Sequence, residues 1–454
     1  MTYLAPFFLI LTLFNSTLWA SSSRTFDVEP FRLENGLEVY MLEHRRAELV
    51  SIRVYYKVGS VDEDPEKTGL AHYLEHLLFT DESNDLRYDT IKRIPGEHNA
   101  HTNLEHTCYE HDAPAQYLET LLRYQAGLMQ SLRVPEAAFV REREIVLQEL
   151  KDSYVRTSSR FSDLGIRRLF QDTPYGRPII GEAEHIPNLT IADALAFYQK
   201  WYAPNNAVIV IGGYMDKQEV KGLVQKYFGH IPAKVIPQRN REITLEPFND
   251  SNRMLTCEDQ EFNLPTINLT YRYLATPFRY QKIDILVSLI EGILGCETFL
   301  IYKQLVKTKK SKIAEYSVDR SSMSNGHGIF CLNIILKERE WTDQSLGDSK
   351  GMLLSKLNAL VKRGFTQEDL DKELTRSRHA RMYMMDDLED MVTTLGGSLA
   401  LNIPIEDIQS IYDLNVNVTV EEMNATLRQI FDTDQYMTTM ALPPGKRGRS
   451  GEDT

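Results

Sequence analysis

After an apolar block over residues 1–20, short β-branched runs alternate with amphipathic stretches along the chain. Phe31–Glu43 predicts two short strands around an Asn35-Gly36 turn, because that dipeptide accepts the positive φ of a tight hairpin. Glu48–Ser60 (ELVSIRVYYKVGS), β-branched and aromatic, predicts a strand, and Glu66–Phe79 a helix. Shorter strands are expected near Asn99–Thr102 and Thr107–His111. A helix is expected from Pro114 to Leu132, and another begins at Pro135, where proline suits a first turn, and runs through Glu149. Thr190–Tyr202 predicts a helix, Ala207–Tyr214 (AVIVIGGY) a buried strand, and Lys217–Phe228 a further helix.

The second half repeats this order. Thr266–Leu274 (TINLTYRYL) parallels the Glu48–Ser60 strand, and Gln281–Leu294 parallels the helix after it. Leu189-Thr190-Ile191 opens a helix that leads to the Ala207 strand. Val418-Thr419-Val420 opens one that leads, at the same offset, to Tyr436–Leu442 (YMTTMAL). The pattern is that of a duplicated domain. The expected division is a signal peptide over 1–20, a first domain over 27–235, a polar, proline-containing linker over 236–252, a second domain over 253–443, and a disordered tail over 444–454.

Composition narrows the classes. The 454 residues, 42% hydrophobic and 25% charged, are ordinary for a soluble protein of two or more domains. A net charge of −13 argues against nucleic acid, which demands clustered cations. The N-terminal block, ending in small and polar residues near Ala20, reads as a secretory signal, so the expectation is export to the periplasm. A retained N-terminal anchor is the rival. No later stretch reads as a membrane span. Cys108, Cys257, Cys296 and Cys331 allow three disulfide pairings or none, and small buried thiols serve equally well.

The chemistry concentrates in TGLAHYLEHLLF. Residues four apart share a helical face, so His72 and His76 can offer two imidazoles to one metal. Glu75 sits at the edge of that face, placed to take a proton from a water on the metal. A catalytic zinc keeps three protein ligands and an open position. The candidates for the third lie in PEAAFVREREIVLQELKDSY, where Glu142 and Glu149, two turns apart, share a face that Glu144 does not. A second histidine group, His98, His101, His106 and His111, follows alternating strand positions around a turn and reads as strand surface, some of it lining a cleft.

These residues resemble the pitrilysin/insulinase family of zinc metallopeptidases, whose inverted His-x-x-Glu-His motif is His72–His76 here. The resemblance extends to Glu142–Glu149, to Asn99-Ala100-His101-Thr102 with Glu105-His106-Thr107 and Tyr109, and to the duplicated domain. It implies an α+β fold of two homologous α/β-roll domains, each a mainly antiparallel sheet packed against helices. It further implies one Zn2+ per chain on His72, His76 and Glu149, with Glu75 as general base and Glu142 supporting the site. Asn99 and Ala100 would lie on an edge strand to which an extended peptide substrate adds.

One segment departs from the family. Members that act alone carry, in the second domain, an arginine followed seven residues later by a tyrosine that grips the substrate. In QLVKTKKSKIAEYSV, Tyr316 matches the tyrosine, but Lys309 stands where the arginine is expected, and lysine lacks its planar fork. Short members pair two chains. The resemblance therefore implies a heterodimer with a related chain supplying an Arg/Tyr pair, or a homodimer using Lys309 or Lys307. The competing classes are a non-catalytic scaffold subunit and a peptide-binding module without turnover.

Overall fold

The computed structural model describes residues 27–239, 241–274, 282–413, 417–431, 433 and 435–444. The expected signal peptide, the tail beyond residue 444 and the first residue of the Gln281 helix lie outside the described residues.

The first half supplies strands β1 (Val28–Arg32), β2 (Glu38–Glu43), β3 (Leu49–Tyr56), β4 (Glu97–Thr102), β5 (Thr107–Pro114) and β6 (Ala207–Gly213). Its helices are α1 (Leu70–Leu78), α2 (Tyr88–Ile91), α3 (Leu118–Gln130), α4 (Glu136–Val155), α5 (Thr157–Phe170), α6 (Ile191–Trp201) and α7 (Lys217–Phe228). The second half supplies β7 (Met254–Glu258), β8 (Thr266–Leu274), β9 (Ile313–Ser322), β10 (His327–Leu336) and β11 (Tyr436–Leu442). With them go α8 (Ile283–Gly295), α9 (Leu300–Leu305), α10 (Asp343–Arg363), α11 (Gln367–Met384), α12 (Leu388–Ala400), α13 (Ile405–Asp413) and α14 (Val420–Phe431).

The two sheets share one plan. The first runs β1-β2-β6-β3-β5-β4 and the second β7-β11-β8-β10-β9. In each, the last strand of its half lies parallel to an early strand (β6 on β2, β11 on β7), and the other pairs are antiparallel. This is the duplication seen in the sequence, now as topology. The expected hairpin forms at Asn35-Gly36, with Gly36 at φ +88°.

Alternation along β3 sorts side chains between two faces. Ile52 and Val54 pack with Tyr73, Leu74 and Leu77 of α1 in the core of the first domain. From the other face of the sheet, Val208 and Val210 pack against Met391, Val392 and Leu395 of α12, a helix of the second half. Gly212 permits that approach, since a Cβ there would lie 2.4 Å from Val392. The linker is also tied down. Arg241 Nη2 donates to Asp62 Oδ2 at 2.7 Å, and Arg239 Nη2 donates to Asn206 Oδ1 at 2.6 Å.

Two expectations change here. Ile283–Leu305 is, by length and composition, apolar enough to cross a bilayer, contrary to the reading that no later stretch is. In the fold it is broken into α8 and α9, and Ile285, Leu289, Ile293 and Leu305 are core of the second domain. A helix this apolar serves as the buried centre of a domain as well as a membrane span. The second change concerns Tyr316, whose ring packs near Tyr302 in that same core at 3% exposure. Its hydroxyl, expected to contact substrate, is buried in this fold. All four cysteines are free thiols.

Candidate metal centre

Helix α1 begins four residues later than its pattern predicts, for a local reason. Gly69 stands at φ +85°, and a Cβ there would meet Ile180 O at 2.5 Å. The amides of Gly69 and Ala71 donate to the buried Glu63 carboxylate at 2.9 and 2.7 Å. That satisfies helix-start donors that would otherwise lack partners. Tyr73, Leu74 and Leu77 then bury one face, which leaves His72 and His76 on the side toward α4. The Tyr73 hydroxyl donates to Phe139 O and fastens the two helices together. On α4, Val146 and Leu150 are buried, while Glu142 and Glu149 face α1.

The donor atoms converge. His76 Nε2 lies 3.5 Å and His72 Nε2 3.8 Å from Glu149 Oε2, and one ligand atom from each of the three residues lies within 4.8 Å of the others. The imidazoles meet edge to face, with centroids 4.9 Å apart. Glu142 Oε2 lies 3.5 Å from His76 Nδ1, and Arg141 holds its other oxygen at 3.1 Å. A carboxylate behind Nδ1 fixes that ring with Nε2 free to ligate. Burial, then the neighbouring His76, lowers the His72 pKa to about 4, which keeps that imidazole in the neutral, metal-ligating form. Two nitrogens and one carboxylate oxygen, with a supporting carboxylate, fit a catalytic zinc and do not suit calcium or magnesium.

Glu75, 7% exposed, accepts a hydrogen bond from Thr102 Oγ1 at 2.6 Å. Burial raises its pKa, and the Thr102 hydroxyl opposes that rise. Thr102 ends β4, which is an edge strand paired only with β5 among the described residues. Asn99 on that strand is exposed and Ala100 is buried. Beside His76 opens a cleft of about 650 Å³, lined by Phe79, Tyr88, Arg141, Glu142 and Ile145. Lys309 sits on an exposed turn after α9, in the second domain with Tyr316.

Two parts of this architecture had no role assigned from sequence. One is Thr102, whose signal was its place beside Asn99-Ala100. The other is Glu105 in the β4–β5 loop. Its carboxylate accepts from Ser324 N at 2.9 Å, from Tyr175 Oη at 2.8 Å and from Arg241 Nη1 at 3.2 Å, joining the edge hairpin to the second domain and the linker.

Comparison with known proteins identifies the family. Residues 39–183 match the family described as Insulinase (Peptidase family M16), and residues 188–376 match the Peptidase M16 inactive domain. The chain belongs to the insulinase (M16) peptidase family. It is 26% identical over 430 residues to the zinc protease PqqE of Helicobacter pylori, covering 92% of this chain and 93% of that one. Over 201 residues it is 30% identical to a probable mitochondrial-processing peptidase subunit beta of Arabidopsis thaliana, 43% of this chain and 38% of that protein. A putative M16-like peptidase of Alicyclobacillus acidocaldarius has the same fold, with a TM-score of 0.81 at 18% identity over 92% of this chain and 99% of the other. This M16 chain is thus a two-domain member of a metallopeptidase family, similar to processing-peptidase subunits.

Proposed function

We propose that this M16 chain is a zinc-dependent endopeptidase that cleaves short or unfolded peptides. The observation that carries the reading is the convergence of His72, His76 and Glu149 beside a buried Glu75. His72, His76 and Glu149 would hold a zinc ion, which would supply Lewis-acid chemistry at the scissile carbonyl and the attacking water. Glu75 accepts the proton of the attacking water and later returns one to the leaving amine. Glu142 keeps His76 oriented, and Thr102 keeps Glu75 in place. An extended peptide adds to the free edge of β4 along Asn99–Ala100, and a side chain next to the scissile bond enters the cleft at Phe79 and Tyr88.

Assembly and location follow as parts of the same proposal. With Tyr316 buried and Lys309, not arginine, on an exposed turn, the second domain offers no arginine–tyrosine clamp at these positions. That favours pairing with a related chain that supplies one over a homodimer. The apolar first twenty residues support export to the periplasm.

The test is cleavage of a quenched unstructured peptide by the chain and by Glu75→Gln, with zinc measured on both. Zinc retained and hydrolysis abolished in the variant is the expected result. Full activity in Glu75→Gln would overturn the assignment. Zinc bound without hydrolysis in the wild type, with or without a partner chain, would favour a scaffold.

A further inference from the structure

The histidine group that reads from sequence as strand surface is divided by the fold between the two faces of the first sheet. Register places Tyr55, Cys108 and His101 in one cross-strand row and Arg53, Glu110 and Asn99 in the next. Both rows lie on the face away from α1, because Thr102, which reaches Glu75, belongs to the other one. His98 and His111 also lie on the α1 side, and their Nδ1 atoms are 3.0 Å apart.

On the far face His101, Cys108 and Glu110 each bring a ligand atom within 4.8 Å of the other two. His101 Nδ1 is 2.5 Å from Glu110 Oε1. Glu110 divides its oxygens, since Oε2 faces Arg53 Nε at 3.2 Å, and Arg53 is further held by Asp112 at 2.8 Å. Oε1 thus meets the His101 ring while Oε2 stays with Arg53, and a cation would enter between His101 Nδ1 and Oε1 in place of their shared proton. Cys108 is fully buried against Tyr55 and Ala400, under the end of α12. A fourth donor is close: the His106 ring lies 5.9 Å from that of His101, and its Nδ1 is buried without a partner among the described residues. Its Nε2 is taken by Asn103 Nδ2 at 2.9 Å.

We infer that His101, Cys108 and Glu110, with His106 as fourth donor, form a second cation site for zinc or a similar thiolate-seeking divalent metal. Nitrogen, sulfur and one carboxylate oxygen select zinc over calcium or magnesium. Ligand atoms around a tetrahedral zinc stand roughly 3.3–3.8 Å apart, so small side-chain rotations close the set. On entry the Cys108 S–H bond breaks, the proton passes to solvent and the sulfur pair forms the metal bond. The site would clamp the directly paired residues His101 and Cys108, and so pin edge strand β4 one residue before Thr102. It stands whatever the role of the His72 centre.

Cobalt titration of the purified full chain tests this, because the His72 centre contains no sulfur. The expected result is two Co2+ per chain with a thiolate-to-cobalt charge-transfer band. That band should persist in a His72→Ala/His76→Ala variant, which binds one Co2+, and vanish in Cys108→Ser. A wild-type chain that binds a single Co2+ with no thiolate band overturns the proposal, as does a band that survives Cys108→Ser. Should Cys108→Ser fail to fold, His101→Ala, at a half-exposed strand position, must weaken the band-forming site at least tenfold. Unchanged affinity there also overturns it.

Discussion

Thr102 Oγ1 donates to Glu75 Oε2 at 2.6 Å, linking the edge strand to the carboxylate buried beside His76. The bond sets both the position and the ionisation of the proposed base. Burial raises the Glu75 pKa and Thr102 donation lowers it. A general base must be ionised to act, so activity falls on the acid side as Glu75 protonates. Thr102→Val removes the donation and moves that acid limb to higher pH. Activity in mildly acidic buffer should drop roughly tenfold, the worth of one hydrogen bond to a charged group. A pH profile of kcat/KM that superimposes on the wild type would refute the coupling.

Metal removal should silence the peptidase reversibly. A chelator abolishes peptide hydrolysis and added zinc restores it, if His72, His76 and Glu149 hold the ion as proposed. Glu149→Gln keeps the shape but loses the charged ligand, so zinc content should fall with activity. Glu142 acts through His76 Nδ1 at 3.5 Å, and Glu142→Gln should weaken zinc affinity about 10–100-fold without abolishing binding. Competition titration against a chromogenic chelator separates the two variants.

Tyr316 gives the opposite forecast. Its hydroxyl is buried and has no hydrogen-bond partner among the described residues. Removing an unsatisfied buried polar group costs little or stabilises. Tyr316→Phe should therefore keep full activity and a Tm equal to or above the wild type. A large loss of kcat with unchanged Tm would show that the residue reaches substrate in a state other than this one.

The contrast between His72 and Tyr316 shows what the sequence could carry. His72, Glu75 and His76 lie within two helical turns, so local periodicity alone brings them to one side of α1. Glu142 and Glu149 share a face of α4 by the same arithmetic, although nothing local says that α4 meets α1. The strands Thr266–Leu274 and Tyr436–Leu442 and the helix Lys217–Phe228 were legible to the residue, because β-branched runs and a sharp apolar stripe mark them. Helix α11 was not: Leu370 and Glu373 are the buried residues along it, and so thin a stripe leaves no clear period. Tyr316 matched a family position by spacing, but exposure is a tertiary property that spacing does not encode. The donor group His101, Cys108 and Glu110 was hidden for a related reason, since strand register rather than sequence order brings its members together.

His111 makes the last prediction, through a chain of ring nitrogens on the α1 side of the sheet. Gln125 Nε2 lies 2.6 Å from His111 Nε2, His111 Nδ1 lies 3.0 Å from His98 Nδ1, and His98 Nε2 lies 3.1 Å from Ile94 O. Assigned from these partners, Gln125 donates to His111, His111 to His98, and His98 to the carbonyl. The remaining His111 nitrogen is thus an acceptor already in use, and a further proton would break the bond from Gln125. Burial, then His98 and Arg53, lowers the His111 pKa to about 3, against about 6.5 in an unfolded chain. Between those values the unfolded state takes up the proton first, so folding stability falls as pH drops, by about 1.4 kcal/mol per unit for this one group. Above pH 6.5 the residue is neutral in both states and its contribution is constant. Denaturant unfolding at pH 7, 6 and 5 should show the wild type losing stability faster than His111→Gln, which cannot titrate. Parallel slopes would mean that the ring is protonated without penalty and that the chain of donors is drawn wrongly.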